Sequence, residues 1–128
     1  MKILIVDDDS DQRQIRALLL SQAGFEAFEA GDVAGAKIIA AAEHPQAAVV
    51  DLRLPTVEDG LALVRDLKAL NPATRLVVLT GAGINVLARR PERLLVDQLL
   101  IKPAPTAALI DAIRGVLLQD RQSAHAAG

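Results

Sequence analysis

The sequence predicts a doubly wound α/β sandwich built on a five-stranded parallel sheet, and three observations predict it. Short apolar runs alternate along the chain with segments of helical periodicity. The first run, Ile3-Leu4-Ile5-Val6, is continuously apolar, as a strand buried on both faces requires. The 128 residues suit one domain, at roughly 100–200 residues each, and 52% of them are apolar, enough to bury a core on both sides of a sheet.

Residues 3–6 form the first predicted strand, ended by Asp7-Asp8-Asp9. From Ser10, which can cap it, a helix carries Ile15, Leu18, Leu19 and Ala23 at helical spacing and stops at Gly24. Residues 25–30 alternate apolar and acidic positions, which suits a strand near an edge. Asp32 can cap the next helix, with Val33, Ala36, Ile39 and Ala40 on one side and an exit at His44-Pro45. Residues 47–50 make the third strand. Leu61, Val64, Leu67 and Leu70 mark a third helix that ends at Asn71-Pro72, and residues 76–79 make a fourth strand. Gly81 and Gly83 open a loop, a helix follows from about Ile84, and residues 99–101 form a fifth strand. The last helix carries Leu109, Ile110, Ile113, Val116 and Leu117, and the polar, small residues 119–128 read as a frayed tail. Five strands alternating with five helices, joined by right-handed crossovers, favour the flavodoxin-like strand order 2-1-3-4-5.

Composition narrows the function. Sixteen acids against 14 bases leave a formal net charge of −2, which does not suit a general nucleic-acid binder. Phe25 and Phe28 are the only aromatic residues, so ring-stacking platforms are excluded. The absence of cysteine excludes thiol chemistry and cysteine metal sites. Neither a secretory leader nor a run of the roughly 20 apolar residues needed to span a bilayer is evident, and a cytoplasmic protein is expected. His44 and His125 lack partners for a metal site or a triad and read as surface residues. Arg89, Arg90 and Arg93 read as a solvated helix face.

Ligands of such sheets bind beyond the carboxyl ends of the strands, where strand order reverses. Strand one ends in Asp7-Asp8-Asp9, strand three in Asp51, strand four in Thr80 and strand five in Lys102, whereas strand two ends in Ala30-Gly31. Carboxylates gathered there repel one another unless a cation holds them together. Magnesium suits them, since it takes hard oxygen ligands, needs few carboxylates and keeps waters that a phosphate can share. Asp7, Asp8 and Asp51 against Lys102 leave the pocket two charges short, which one Mg²⁺ balances. Asp51 is then a candidate phosphoryl-accepting nucleophile. Lys102 offsets charge on the phosphoryl oxygens, and Thr80 can donate a hydroxyl hydrogen bond to one of them. Asp9 and Asp11 read as helix cap and first-turn residues.

These residues resemble the receiver domain of two-component response regulators. The matching segments are Leu4-Ile5-Val6-Asp7-Asp8, Val49-Val50-Asp51-Leu52-Arg53-Leu54-Pro55, Asp59-Gly60, Val78-Leu79-Thr80-Gly81 and Lys102-Pro103. Each alone is weak, but five in this order on these strand ends are specific. The resemblance runs from residue 2 to about 118 and implies a receiver domain over 1–118, followed by the tail 119–128. It implies that Asp51 accepts phosphate from a sensor histidine kinase or a histidine phosphotransfer protein. It further implies Mg²⁺ on Asp7, Asp8, Asp51 and the backbone carbonyl of Arg53, contacts to the phosphoryl group from Thr80 and Lys102, and a cis bond before Pro103. Such a domain is a signalling module rather than a metabolic enzyme and catalyses only its own phosphorylation and dephosphorylation. It acts on a downstream protein that the sequence leaves unknown, with a homodimer as one possible state.

The chain departs from the family pattern in three places. Thr56, Val57 and Glu58 separate Pro55 from Asp59-Gly60, one residue more than usual. Leu99 stands where many receivers carry a Tyr or Phe that swings inward on activation. Pro91 falls within the helix expected from about Ile84 and should break it or start a second short one, and Leu95-Val96 replace the usual Gly-Ala before strand five. Leu99 and the altered helix keep a phosphorylation-independent docking domain as an alternative, beside a terminal receiver excised from a hybrid histidine kinase. A phosphohydrolase of the haloacid dehalogenase type needs a second acid two residues after its nucleophile, where this chain has Arg53. Flavin binding lacks both stacking aromatics and a Ser/Thr-rich phosphate loop.

Overall fold

The computed structural model describes residues 1–81 and 87–127, with side chains through residue 118. Strands β1 (Lys2–Val6), β2 (Glu26–Ala30), β3 (Ala47–Asp51), β4 (Arg75–Thr80) and β5 (Gln98–Ile101) pair in parallel, in the order β2-β1-β3-β4-β5. This is the expected flavodoxin-like sheet, with β2 at an edge. Helices α1 (Ser10–Gln22), α2 (Val33–Glu43), α3 (Val57–Leu70) and α4 (Thr106–Ala127) accompany it. The helix expected from about Ile84 begins, with Gly83 before it, on residues 82–86, outside the described residues. Leu87 and Ala88 are helical, and Pro91 opens a short 3-10 helix, Pro91–Leu95. Helix α4 runs to Ala127. Among the described residues no helix is long and apolar enough to cross a membrane.

Side chains alternate across a strand, so a sheet covered on both sides needs apolar residues at every position. Leu4, Val6, Ala48, Val50, Leu76 and Val78 pack in one cluster with Ala36 and Ala40 of α2 and Leu61, Val64 and Leu67 of α3. Ile3, Ile5, Ala47, Val49, Val77 and Leu79 pack in the other with Ala17 and Leu20 of α1 and Leu109, Ile113 and Val116 of α4. Burial of each large aliphatic side chain contributes about 1.5–3 kcal/mol. That is how a chain with two phenylalanines fills its core.

Helix α1 departs from the expected phase. Ile15 and Leu18, expected on the buried face, are 50% and 59% exposed, while Arg16, Ala17 and Leu20 are buried. The inward stripe is shifted because Arg16 takes an interior position with a carboxylate partner. Asp9 rather than Ser10 caps α1, accepting hydrogen bonds from the backbone N–H groups of Asp11 and Gln12. Gly24 follows with φ +98°, a left-handed conformation that glycine adopts without Cβ strain. Asp32 caps α2 as expected, accepting from Gly35 N at 2.7 Å, and exposed His44 closes it. Thr56 caps α3, its Oγ1 accepting from Asp59 N at 3.2 Å and donating to Asp59 Oδ2 at 2.7 Å. His125 lies beyond the described side chains.

Two ionic clusters hold residues 90–97, ahead of β5. Asp97 accepts from Leu76 N at 2.8 Å and faces the cations of Lys68 at 3.3 Å and Arg75 at 3.1 Å. Arg90 donates through both terminal nitrogens to Glu58, each at 2.9 Å, and through Nε to Glu92 at 3.3 Å, while Arg65 reaches Glu92 at 3.2 Å. Arg93 donates to the Val96 carbonyl. Of the basic cluster read as a solvated face, Arg90 and Arg93 are therefore tied into the fold; the Glu58 partner of Arg90 lies 32 residues away, where a local reading does not pair it. Hydrogen bonding to Glu58 raises the Arg90 pKa above its ordinary value.

Burial pushes the Glu92 carboxyl upward, but the hydrogen bond and charge of Arg90 and the hydrogen bond from Arg65 outweigh it, leaving the pKa below its ordinary 4.5. The folded state thus holds Glu92 ionised more firmly than the unfolded chain does. Its contribution is complete above the unfolded value and is lost as pH falls through the lower folded value. Urea midpoints of the wild type and Glu92→Gln are expected to converge as pH drops from about 6 to about 3. A gap between them that stays constant or widens over that range contradicts the assignment.

Candidate functional site

Sheet register brings the strand ends together. Val6 lies opposite Val50, so Asp7 and Asp51 leave neighbouring strands at one level. Asp51 lies opposite Leu79 and Thr80 opposite Ile101, so Lys102 follows directly beside Thr80. The Lys102 N–H donates to the Thr80 carbonyl at 2.8 Å. Asp7, Asp8, Asp51, Arg53, Thr80 and Lys102 line one cavity of about 350 Å³. All six residues singled out from the strand ends and the following loop are thus gathered at the switch point.

Asp7, Asp51 and Thr80 are 2%, 5% and 1% exposed, so these polar groups are held inside the protein by partners, while Asp8 is exposed. Lys102 Nζ donates to Asp51 Oδ2, and Arg53 N donates to Asp51 Oδ1 at 3.2 Å. Asp51 is thereby fixed with one oxygen on a cation and the other on a backbone N–H. Asp7 Oδ1 accepts from Asp9 N at 2.9 Å. Arg13 donates to the Asp7 carbonyl at 2.9 Å and pairs with Glu29, tying α1 to β1 and β2.

The second oxygen of Asp7 carries the residue that the sequence reading missed. Arg16 Nη1 lies 2.6 Å from Asp7 Oδ2, and Arg16 is only 7% exposed. Its charge changes the expected balance: with Arg16 counted beside Lys102, the pocket is one charge short rather than two. The available signal was helical phase, since Arg13, Arg16, Ala17 and Leu20 share one face of α1 next to the acidic end of β1.

The donor chemistry suits a hard divalent cation, because every side chain that could ligate one in the cavity offers carboxylate or hydroxyl oxygen and none offers sulfur or imidazole. Among the described residues, no three acidic, histidine or cysteine side chains form a ready-made cage. Magnesium does not need one, since it binds through one or two carboxylates and retains waters.

Residues 3–114 match the family model of the response regulator receiver domain. The chain belongs to this family. RegA of Rhodovulum sulfidophilum, a photosynthetic apparatus regulatory protein, is 40% identical over 114 residues, covering 84% of this chain and 61% of RegA. The chain thus spans about three fifths of the length of that relative. NtrX of Brucella abortus, solved with ATP, superimposes with a TM-score of 0.86 at 28% identity, over 98% of this chain and 29% of NtrX. A response regulator of Burkholderia pseudomallei, solved with a phosphorylated aspartic acid, a calcium ion and citrate, gives a TM-score of 0.79 at 27% identity, over 97% of this chain and 74% of that one.

The Lys102-Pro103 bond is cis, as the resemblance implied, and Leu54-Pro55 is cis as well. Leu99 lies opposite Val78 in the sheet and packs, partly buried, against the core beneath α2 and α3.

Proposed function

We propose that this receiver domain is a phosphorylatable switch of a two-component phosphorelay, with Asp51 as the phosphoacceptor. The observation that carries the proposal is the placement of buried Asp51 between Lys102 and the Arg53 N–H in a cavity shared with Asp7, Asp8 and Thr80. The related Burkholderia regulator, solved with a phosphorylated aspartic acid and a calcium ion, supports the aspartyl-phosphate chemistry and the reading of a hard cation in this family. Asp7, Asp8, Asp51 and the Arg53 carbonyl would hold Mg²⁺, which supplies positive charge for phosphoryl oxygens when bound.

In the transfer, an Asp51 carboxylate oxygen forms a bond to phosphorus as the phosphorus–nitrogen bond of a phosphohistidine breaks. The imidazole nitrogen leaves with its electron pair. Lys102 offsets charge on the phosphoryl oxygens, and the Thr80 hydroxyl donates a hydrogen bond to one of them. Both residues end neighbouring strands, so their movement toward the phosphate changes the β4–β5 edge that a partner can read. The donor is a sensor histidine kinase or a histidine phosphotransfer protein in the cytoplasm, the target is a downstream protein, and the domain's catalysis is confined to its own phosphorylation and dephosphorylation.

Incubation with Mg²⁺ and acetyl phosphate is expected to add the mass of one phosphoryl group to the intact protein. Hydroxylamine should remove it, as it does an acyl phosphate, and Asp51→Asn should gain nothing. Mass is the appropriate readout because the chain has neither Trp nor Tyr for fluorescence quenching. Equal uptake by Asp51→Asn, or none by the wild type, overturns the proposal.

A further inference from the structure

We infer that Arg16 is a built-in counter-ion for Asp7 that competes with the divalent cation and sets how tightly the pocket binds it. This rests on reading the acidic pocket as a cation site. Asp7 has both carboxylate oxygens engaged, Oδ1 by Asp9 N at 2.9 Å and Oδ2 by Arg16 at 2.6 Å. Asp7 and Arg16 are 2% and 7% exposed, so water screens the pair little. Each oxygen keeps a further lone-pair direction, so a cation can bind Asp7 only by sharing the carboxylate with the guanidinium, against its charge, or by displacing it.

Space for that withdrawal exists. Arg16 borders a separate cavity of about 410 Å³ with Gln12, Lys102, Pro103 and Ala104. This is the open space nearest to the guanidinium on its own helix face, and in this proposal it turns there when the cation binds. An unpaired buried Asp7 is costly, so the arginine keeps the empty pocket folded and opposes the incoming cation. Arg13 differs, because it bonds the Asp7 carbonyl rather than the carboxylate.

Magnesium titrations followed by calorimetry and by amide shifts test this directly. Arg16→Leu is expected to bind Mg²⁺ at least about tenfold more tightly than the wild type, because a positive charge beside the site is gone and Asp7 Oδ2 is released. Arg16→Lys, which keeps the charge, should return most of the way to the wild-type affinity. Arg13→Gln removes a similar charge from the same helix face but should change affinity by no more than about twofold. The melting temperature should rise more on Mg²⁺ addition for Arg16→Leu than for the wild type, since linkage stabilisation grows with affinity.

If Arg16→Leu proves too unstable to titrate, the wild type alone decides the matter: the Arg16 Nε–Hε resonance should move as Mg²⁺ saturates the pocket. Equal affinities for the wild type and Arg16→Leu overturn the counter-ion role while leaving the cation site intact, as does an Arg16 resonance that stays fixed at saturation. An equal gain in Arg13→Gln assigns the effect to the general field and overturns it too. Failure of every protein to bind Mg²⁺ removes the cation site itself, and the role of Arg16 with it.

Discussion

Gly60→Ala should destabilise the domain by on the order of 4 kcal/mol or more, a large share of the roughly 5–15 kcal/mol typical of a folded domain. A methyl group at this position would lie 1.7 Å from the Leu52 carbonyl oxygen and 2.6 Å from its carbon. Both are backbone atoms directly after Asp51, so no side-chain rotation relieves the clash. Ordinary helix propensity predicts the reverse sign, since Ala exceeds Gly by about 1 kcal/mol in a helix interior. Gly115 is the internal control: it lies in α4, where a methyl group would meet nothing within 4 Å, and Gly115→Ala should stabilise by about 0.5–1 kcal/mol. Urea unfolding followed by far-UV circular dichroism measures both. A Gly60→Ala protein as stable as the wild type would show that α3 does not approach the loop after Asp51 this closely. The functional consequence follows from geometry, because moving α3 away from Leu52 also moves the backbone that orients Asp51.

The legible parts of this fold are those where burial and chemistry leave the same trace. Strands β1, β3 and β4 are covered on both faces, so each appears as an unbroken apolar run, and the first polar residue after each run is a cavity residue: Asp7, Asp51 or Thr80. Sheet order follows from the alternation and the handedness of crossovers, which is why residues nearly a hundred positions apart could be expected in one cavity. The features that leave no such trace depend on pairing between elements. Arg16 is buried only because Asp7 stands opposite it, and a charged residue without its partner in view reads as surface. The same pairing turns α1 by about one residue from its expected phase, leaving Ile15 and Leu18 outward. Glu92 and Asp97 are held by cations from α3 and β4, and Arg90 by Glu58, at separations over which sequence spacing carries no signal.

Lys102→Ala should uncouple the phosphate from the conformational change while leaving the cation site able to bind. Lys102 is the side-chain cation on Asp51 in the resting structure, and its backbone joins β5 to β4 through the Thr80 carbonyl. Truncation leaves Asp51, 5% exposed, without that charge. Breaking a fully buried ion pair costs about 3–5 kcal/mol, but the Lys102 side chain is 35% exposed, so about 1–3 kcal/mol is the appropriate scale. The kinetic effect should be larger. Loss of one preorganised donor to developing charge typically slows such a step by about 10²–10³, and phosphoryl uptake from acetyl phosphate should fall on that order. Lys102→Arg keeps the charge, but its planar fork cannot reproduce a single ammonium contact in the same space, so it should restore stability better than rate. The decisive measurement compares amide shifts of Thr80, Leu99 and Ile101 before and after phosphorylation, on samples matched for phosphoryl content by intact mass. If Lys102 transmits the change, those shifts shrink in Lys102→Ala even where Asp51 is fully modified. A full-sized response would place transmission in Thr80 and the α3 loop instead, leaving Lys102 a role in transfer alone.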